Sequence, residues 1–327
     1  MILNGVSVVN SSGQATNLAI KYHREFEEKV VSLSRESGDL YLDLFLNGPG
    51  QRCINLKEDV LKSVQKTLVE FESRGAYSGQ ENLKTAYIRY LQRMVLELGI
   101  APCSQNPVDS ALGIELTCLQ SWSNLAEEAN RLKREVDGYF LTNRIPSRKN
   151  HFRLAEQMTL ALNRMKFGYS VKIPVQRVRR QYSGFFSSLI SDSLKQVEAK
   201  RRELLLVCEN GITELKALLP FSGEKRLKDA ALNSMRLYRL EIVNELPKLI
   251  PFVQKERDFV DLHRQMKAKP EPTQEEKSRY KQAVSDYNQN LKSANDFTKA
   301  MEKGRLEHEA VFDQAYVEFL KESMPSD

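Results

Sequence analysis

Histidine is a frequent metal ligand and acid–base catalyst, and this chain of 327 residues has four. A di-iron centre in a helical bundle requires Glu-x-x-His pairs on facing helices. None of the four histidines follows a carboxylate by three positions: Ile20 precedes His23, Arg148 precedes His151, Val260 precedes His263 and Arg305 precedes His308. We therefore predict that the protein binds no metal and uses no cofactor.

His308 has the most polar setting of the four, between Glu307 and Glu309. Adjacent residues of a helix point in different directions, so these three side chains cannot converge on one ion. His308 also falls within the apolar spacing of the last predicted helix. A polar residue at such a position more often fixes helix register than binds metal. We interpret it as structural.

Signatures of nucleophilic or nucleotide chemistry are missing from the sequence. It contains no G-x-x-x-x-G-K-[ST] loop, no G-x-G-x-x-G loop and no G-x-S-x-G turn. The stretches Tyr182–Gly184 and Phe221–Gly223 have the composition of helix starts, and paired carboxylates such as Glu275–Glu276 are typical of solvated helix faces. We predict no catalytic residue, no small-molecule substrate and a protein that is not an enzyme.

The four cysteines form no C-x-x-C pair and no metal-ligand spacing. They are Cys53, Cys103, Cys118 and Cys208. Buried thiols of this kind behave as small apolar side chains. We predict four buried, unpaired thiols, with a pairing of Cys103 and Cys118 across a turn as the alternative.

One segment is strongly basic. Between Gly138 and Ser191 the only acidic residue is Glu156, which gives the segment a net charge of +9 against +6 for the whole chain. The candidate anion- or partner-binding residues are Arg144, Arg148, Lys149, Arg153, Arg164, Lys166, Lys172, Arg177, Arg179 and Arg180. They are either linker residues paired with nearby acidic helix faces, or a docking surface for lipid headgroups, nucleic acid or an acidic protein.

The centre of this segment, YSVKIPVQRVRRQY at 169–182, is rich in β-branched residues and interrupted by Pro174. These features predict an extended connector rather than a helix. In an extended chain Arg177 and Arg179 would share one side, and Arg180 would point to the other.

Helical periodicity dominates the rest of the chain. The predicted helices cover residues 16–46, 56–74, 80–98, 108–140, 151–167, 182–218, 224–267 with interruptions at Pro247 and Pro251, and 273–322. Apolar runs are far shorter than the roughly 20 residues needed to cross a bilayer. The start of the sequence does not have the composition of a signal peptide.

A decapeptide recurs in the two halves: YSGQENLKTA at 77–86 and FSGEKRLKDA at 221–230. Ser78 with Glu81 forms a capping-box pattern, and Ser222 is placed to cap the second helix in the same way. The recurrence predicts an all-α fold of two tandem, duplicated four-helix bundle units with long antiparallel helices. The predicted domains are repeat one (1–143), a basic connector with the first helix of repeat two (144–181), and repeat two (182–327).

The last predicted helix has apolar residues at alternating steps of four and three, the spacing of a coiled-coil seam. The seam residues are Tyr280, Val284, Tyr287, Leu291, Ala294, Thr298, Met301, Arg305, His308, Phe312, Ala315 and Phe319. We expect Leu291 to be buried, and the segment 182–218 to supply the facing helix.

Residues 219–249, LPFSGEKRLKDAALNSMRLYRLEIVNELPKL, carry a recognisable pattern. The matching residues are Pro220, Phe221, Gly223, Leu227, Asp229, Ala230, Leu232 and Tyr238. The stretch resembles a family of uncharacterised bacterial surface or lipoprotein-type helical proteins, in which this pattern opens the third helix of a small bundle. The resemblance implies a helical bundle and an envelope location, and no chemistry.

Together these patterns predict a non-enzymatic helical protein that acts by contacting another protein, at a bacterial cell envelope. The alternative is a basic helical protein that binds an anionic membrane surface or nucleic acid through residues 144–180.

Overall fold

The computed structural model describes residues 6–76, 81–103, 111–146 and 152–322, and these residues are all-α, as predicted. The helices are α1 (Val6–Asn47), α2 (Gln51–Ser73), α3 (Glu81–Ile100), α4 (Ala111–Thr142), α5 (Leu154–Ser191), α6 (Leu194–Ala217), α7 (Arg226–Leu240), α8 (Leu246–Ala268) and α9 (Gln274–Lys321). A π-helical turn, Glu241–Glu245, joins α7 to α8. No helix in the described ranges has the length and apolar character required to cross a membrane.

The chain divides into two compact units. Unit one comprises residues 1–167 and 319–327, and unit two comprises residues 168–318. The first boundary lies within α5, which is continuous from Leu154 to Ser191. The predicted domain limits at 143/144 and 181/182 therefore differ from the division into compact units.

Unit one is built around aromatic side chains. Helix α1 packs on α2 and α4, and α3 packs on the same two helices. Phe26 of α1 lies 4.3 Å from the ring of Phe71 and 5.3 Å from that of Tyr87, measured between ring centroids. Trp122 of α4 is fully buried and donates its indole N–H to the Met158 carbonyl at 3.3 Å. The helical periodicity of these apolar positions explains why the four helices close around them.

A disulfide joins Cys53 to Cys103, with a Cα–Cα distance of 5.4 Å. The prediction that all four cysteines are unpaired was wrong, and so was the alternative pairing, whereas Cys118 and Cys208 are free and buried. The start of α2 and the end of α3 lie side by side, and Lys57 of α2 donates to the carbonyls of Gly99 and Ala101 at 2.8 and 3.0 Å. This packing brings together two cysteines that are 50 residues apart.

His23 of α1 is buried in the aromatic core of unit one. The rings of Phe140 and Phe152 lie 5.1 and 6.0 Å from its imidazole, and its Nε2 atom has no hydrogen-bond partner. Burial and the nearby Arg24 lower the pKa of His23 to about 4. Glu27 lies 3.5 Å from its Nδ1 atom and would favour the charged form, but the loss of hydration dominates.

Unit two contradicts the predicted extended connector, because α5 continues as a helix through Pro174. Val171, Val175 and Val178 are fully buried at helical spacing. Burial of each valine side chain contributes about 1.5–3 kcal/mol to stability. The sum for the three valines exceeds the roughly 3 kcal/mol that a proline costs within a helix. Arg177 and Arg179 therefore lie about 200° apart around a helix instead of on one side of a strand.

The break that was predicted before Tyr182 occurs ten residues later, between α5 and α6. Ser193 is the N-cap of α6, and its hydroxyl accepts from the Gln196 backbone N–H. The Gln196 side chain in turn accepts from the Ser193 backbone N–H at 2.9 Å. This reciprocal capping box starts a new helix there.

Helices α5, α6 and α7 meet at Gly211 of α6, which lies between Pro174 of α5 and Met235 of α7. A Cβ atom at this position would clash with the end of the Met235 side chain and lie 3.3 Å from Cβ of Pro174. A side chain at this position would have to displace the terminal methyl group of Met235 and press on Pro174.

The second decapeptide does not begin its helix as predicted. Ser222 and Gly223 adopt left-handed backbone angles with φ of 48° and 82°, and Lys225 is the N-cap of α7 without a side-chain cap. Glu224, not Ser222, accepts from the Arg226 backbone N–H, at 2.7 Å. The other predicted cap, Ser78, lies outside the described residues.

Only some of the residues of the predicted α9 seam are buried. Met301, Phe312, Ala315 and Phe319 are buried, but Leu291 is 41% exposed and His308 is exposed, so the predicted burial of Leu291 was wrong. At that level Asn290 is buried instead, and its side-chain amide donates to the Phe252 carbonyl of α8 at 3.1 Å. The predicted facing segment 182–218 is two helices, and α9 residues 291–298 line a cavity with Phe186 and Leu189 of α5.

We expect the stability of the protein to depend on pH through His23. Between pH 6.5 and 4 the unfolded chain binds a proton at this position and the folded chain does not, so stability falls as the pH is lowered through this window. The loss is on the order of 3 kcal/mol. In His23→Phe, which fills the same aromatic site, urea unfolding should show a smaller loss, and parallel profiles for the two proteins would contradict the assignment.

The packing at Gly211 predicts that Gly211→Val lowers the free energy of unfolding by about 1–3 kcal/mol, because the added methyl groups overpack the contact with Pro174 and Met235. Gly184→Val is the matched control, because Gly184 lies within α5 with open space around it. The control should change stability by less than about 0.5 kcal/mol. Equal urea midpoints for the two variants would refute the close approach.

Candidate functional site

Six polar and charged side chains of unit two form a half-buried cluster, which we call the tyrosine–arginine cluster. Its members are Arg179 and Tyr182 of α5, Tyr238 of α7, Glu241 of the π-helical turn, and Arg305 and Glu309 of α9. The continuous α5 places Arg179 and Tyr182 on the turns that follow Pro174, and the α9 seam supplies Arg305.

The two tyrosines link pairs of helices through their hydroxyl groups. Tyr182 donates to the Glu241 carboxylate, and Tyr238 donates to the Glu309 carboxylate. Their ring centroids are 5.6 Å apart in an edge-on arrangement. Arg305 lies over the Tyr182 ring at 4.7 Å, with guanidinium nitrogens 3.9 Å from Glu241 and 3.8 Å from Glu309. Each polar side chain is thus in contact with at least one other member.

Arg179 joins the cluster to α9 through contacts with charged and aromatic side chains. Its Nη1 atom donates to Asp313 at 3.0 Å, its Nε atom lies 3.8 Å from Glu309, and its guanidinium lies over the Phe312 ring at 5.6 Å. The Nε and Nη2 atoms are buried without a hydrogen-bond partner. The side chain is therefore held by charge and by ring contact more than by directed hydrogen bonds.

Burial sets the protonation of the cluster. Desolvation, together with the neighbouring carboxylates, raises the pKa values of Tyr182 and Tyr238, so both remain neutral hydrogen-bond donors. Desolvation also raises the pKa of Glu241 above its ordinary value, although the Tyr182 hydroxyl and Arg305 act in the opposite direction. A tyrosine held neutral in this way is a poor nucleophile and a poor base.

The π-helical turn places Glu241 in the cluster. Pro247 lacks a backbone N–H, so a regular helical hydrogen bond is not available just after the turn. The Leu246 N–H bonds to the Glu241 carbonyl five residues back, and Arg201 of α6 donates to the Ile242 carbonyl at 3.1 Å. Such wide turns occur frequently at functional sites.

Two cavities flank the cluster. The first, of about 250 Å³, lies beside the π-helical turn and is lined by Ser234, Tyr238, Glu241, Asn244, Arg305 and His308, with Leu237 and Met301 among its apolar walls. The second, of about 480 Å³, is lined on the α5 side by Arg179, Tyr182, Ser183 and Phe186. Tyr238 and Arg305 line both cavities.

The basic segment is dispersed rather than gathered on one face. Arg177 forms a paired contact with Glu214, and Arg179 belongs to the cluster. Within unit one Arg164 contacts Glu322, with 3.3 Å between nitrogen and carboxylate oxygen. Lys172 lies 4.9 Å from the Tyr316 ring centroid, and Arg144, Arg153, Lys166 and Arg180 are exposed. Arg148 and Lys149 lie outside the described residues.

These contacts favour the interpretation that the central arginines pair with acidic helix faces. An anion would have to compete with Glu214 and Asp313 for Arg177 and Arg179. The docking surface of residues 144–180 remains a prediction.

Sequence reasoning missed the tyrosine–arginine cluster. In the sequence, Tyr182 has the setting of a helix start, and Arg305 is one of the seam residues of the last helix. A charged residue on a seam is a signal that a partner of opposite charge faces it. No group of three histidine, cysteine or carboxylate side chains in the described ranges is placed to hold a metal ion.

We predict that the cluster stabilises unit two. Tyr238→Phe leaves the Glu309 carboxylate without its hydroxyl donor, and should lower the free energy of unfolding by about 1.5–3 kcal/mol. Tyr287→Phe is the matched control, because Tyr287 of α9 is half-buried and contacts Phe259 through its ring. The control should change stability by less than about 0.5 kcal/mol. If urea unfolding gives equal losses for both variants, the Tyr238–Glu309 bond contributes nothing.

Comparison of the chain with protein-family models, with curated proteins and with solved structures gives no match. The resemblance of residues 219–249 to a bacterial helical-bundle family therefore stays a prediction.

Proposed function

We propose that this protein is a non-enzymatic helical interaction protein that binds another protein through a two-helix arm. The arm consists of residues 250–268 of α8 and 274–300 of α9. Among these residues only Asn290 is buried. A helical hairpin of this length that contributes so little to a core is the observation that carries the proposal.

The two helices of the arm are held together by stacked rings. Phe259 and Tyr287 lie 4.2 Å apart with an interplanar angle of 13°, and Phe252 faces Phe297 at 6.3 Å. His263 contacts Tyr280 through both its ring and its Nδ1 atom, at 5.8 and 2.5 Å. Arg257 of the arm also donates to the Leu189 carbonyl of α5 at 3.1 Å and to the Asp192 carbonyl at 2.5 Å. Apart from Asn290, every residue of the arm remains at least partly exposed.

One face of the arm is a groove suited to a helix of the partner. A cavity of about 770 Å³ runs between the two helices and is lined by Phe252, Phe259, Leu262, Tyr287 and Asn290, with charged residues of both signs at its edges. Val260 and Leu291 are exposed on the arm as well. A groove with an apolar floor and charged edges binds the apolar face of an amphipathic helix.

The tyrosine–arginine cluster supports the non-enzymatic part of the proposal. Its hydroxyl groups are bound to carboxylates, and its arginines are matched by Glu241, Glu309 and Asp313. Groups that satisfy one another in this way hold helices together. A catalytic group, by contrast, must be free to engage a substrate.

A location at a bacterial cell envelope is part of the same proposal. The Cys53–Cys103 disulfide supports it, because disulfides persist in oxidising compartments and are rare in the reducing cytosol.

We also propose that the two halves arose by duplication of one helical unit. The third helix of each half begins within a decapeptide, α3 at the fifth position of the first and α7 at the sixth position of the second.

The proposed function is tested by photo-crosslinking in cells. A photoreactive amino acid at Val260 or Leu291 should yield a discrete adduct with one partner protein, because both positions are exposed on the arm. The same amino acid at Leu141, which is exposed in unit one, is the positional control.

The partner, identified by mass spectrometry and then purified, should bind the wild-type protein. It should not bind a variant in which residues 253–297 are replaced by a short turn. The variant should keep the cooperative unfolding of the remaining chain, since the deleted segment includes only one buried residue. Undiminished binding to the variant would refute the role of the arm.

A further inference from the structure

We propose that the cavity beside the π-helical turn binds a small amine, a molecule with an apolar body and an ammonium head. This site shares Ala300 with the end of the arm, and it adds a ligand to the proposed interaction function. Every residue that lines it belongs to unit two.

The size and walls of the cavity set the shape of the ligand. Its volume of about 250 Å³ is below the roughly 300–1,000 Å³ of sites for drug-sized molecules, so the ligand is smaller than those. Leu237, Ala300 and Met301 provide apolar walls. Most of the exposed wall surface is apolar, which is typical of a small-molecule site, although seven of the twelve lining residues are polar.

Ser234 provides an unused hydrogen-bonding group in this cavity. The residue is only 3% exposed, and its hydroxyl has no hydrogen-bond partner. A buried hydroxyl without a partner costs about 1–3 kcal/mol, so such groups are rare in folded proteins. A ligand head that bonds to Ser234 would remove this cost.

The charges near the cavity favour a cation over an anion. The charged residues that line the cavity are Glu241, Glu245 and Arg305, a net charge of −1 when all are ionised. Arg305 already lies within 4.0 Å of both Glu241 and Glu309. A ligand carboxylate would meet the carboxylate of Glu241 on the cavity wall, whereas an ammonium head would pair with it.

The π-helical turn explains why the cavity exists. Its wider backbone places both Glu241 and Asn244 on the cavity wall, opposite Gly304 of α9, which has no side chain to fill the space. Glu245 also lines the cavity, but its carboxylate is paired with Lys248 at 2.7 Å. Among the described residues Glu241 has no lysine partner of this kind, and a ligand ammonium would share its carboxylate with Tyr182 and Arg305.

Three probes of equal length test the site: n-pentylamine, 1-pentanol and pentanoate. Each is titrated into the full-length protein carrying ¹³C-labelled methionine methyl groups, and the Met301 methyl signal reports occupancy. Met158, buried in unit one, is the internal control. We expect a saturable shift of the Met301 signal with pentylamine, about tenfold tighter than with pentanoate or pentanol.

Two variants assign the polar contacts. Ser234→Ala should fold normally, because the hydroxyl has no partner to lose, and should bind pentylamine about fivefold more weakly. Glu241→Gln keeps an acceptor for Tyr182 and removes the charge, so the preference for the amine over pentanol should disappear. Glu302→Gln, which removes a carboxylate of α9 that lines only the other cavity flanking the cluster, should bind as the wild type does.

Several results would overturn the proposal. These are no saturable shift with pentylamine, equal binding of pentanoate, an undiminished amine preference in Glu241→Gln, or wild-type affinity in Ser234→Ala. None of them affects the arm, whose partner binding is measured separately.

Discussion

The contact between Pro174 and Gly211 is the constraint on which much of unit two depends. Helix α6 can approach α5 at this point because Gly211 has no side chain, and Met235 of α7 fills the remaining space. The three helices then share one apolar interior, which includes Val175, Val178, Leu204 and Cys208. Burial in that interior holds α5 in helical conformation across a proline that would otherwise end it.

The tyrosine–arginine cluster follows from this continuous helix. Arg179 and Tyr182 meet α9 and the π-helical turn only because α5 does not break before them. Ion pairs that are half-buried gain little net free energy, since the loss of hydration offsets most of the attraction. Their directional contacts nevertheless select one arrangement of α5, α7 and α9, whereas apolar packing alone would tolerate several. The cluster contributes specificity, and the apolar interior contributes most of the stability.

The two-helix arm differs from both the tyrosine–arginine cluster and the apolar interior of unit two. Its stacked aromatic pairs bury little surface, and Asn290 occupies the position where a continuous apolar seam would have Leu291. The Asn290 amide bonds to a backbone carbonyl of α8, so it fixes the register of the two helices at some cost in apolar burial. An arm ordered in this way can present Val260 and Leu291 to a partner without being part of a core.

The sequence by itself determined the helices and most of their limits, because apolar residues at helical spacing and breakers such as Gly48–Pro49–Gly50 act over a few residues. It also identified the charged segment and the absence of known catalytic motifs. Only the tertiary structure decided that Cys53 pairs with Cys103, that α5 continues through Pro174, and that Glu241 and Glu309 face the two tyrosines. The disulfide and the two tyrosine contacts join residues 50, 59 and 71 positions apart, which come together through the packing of whole helices. No local pattern records which faces will meet, so the site could not be predicted from the residues that form it.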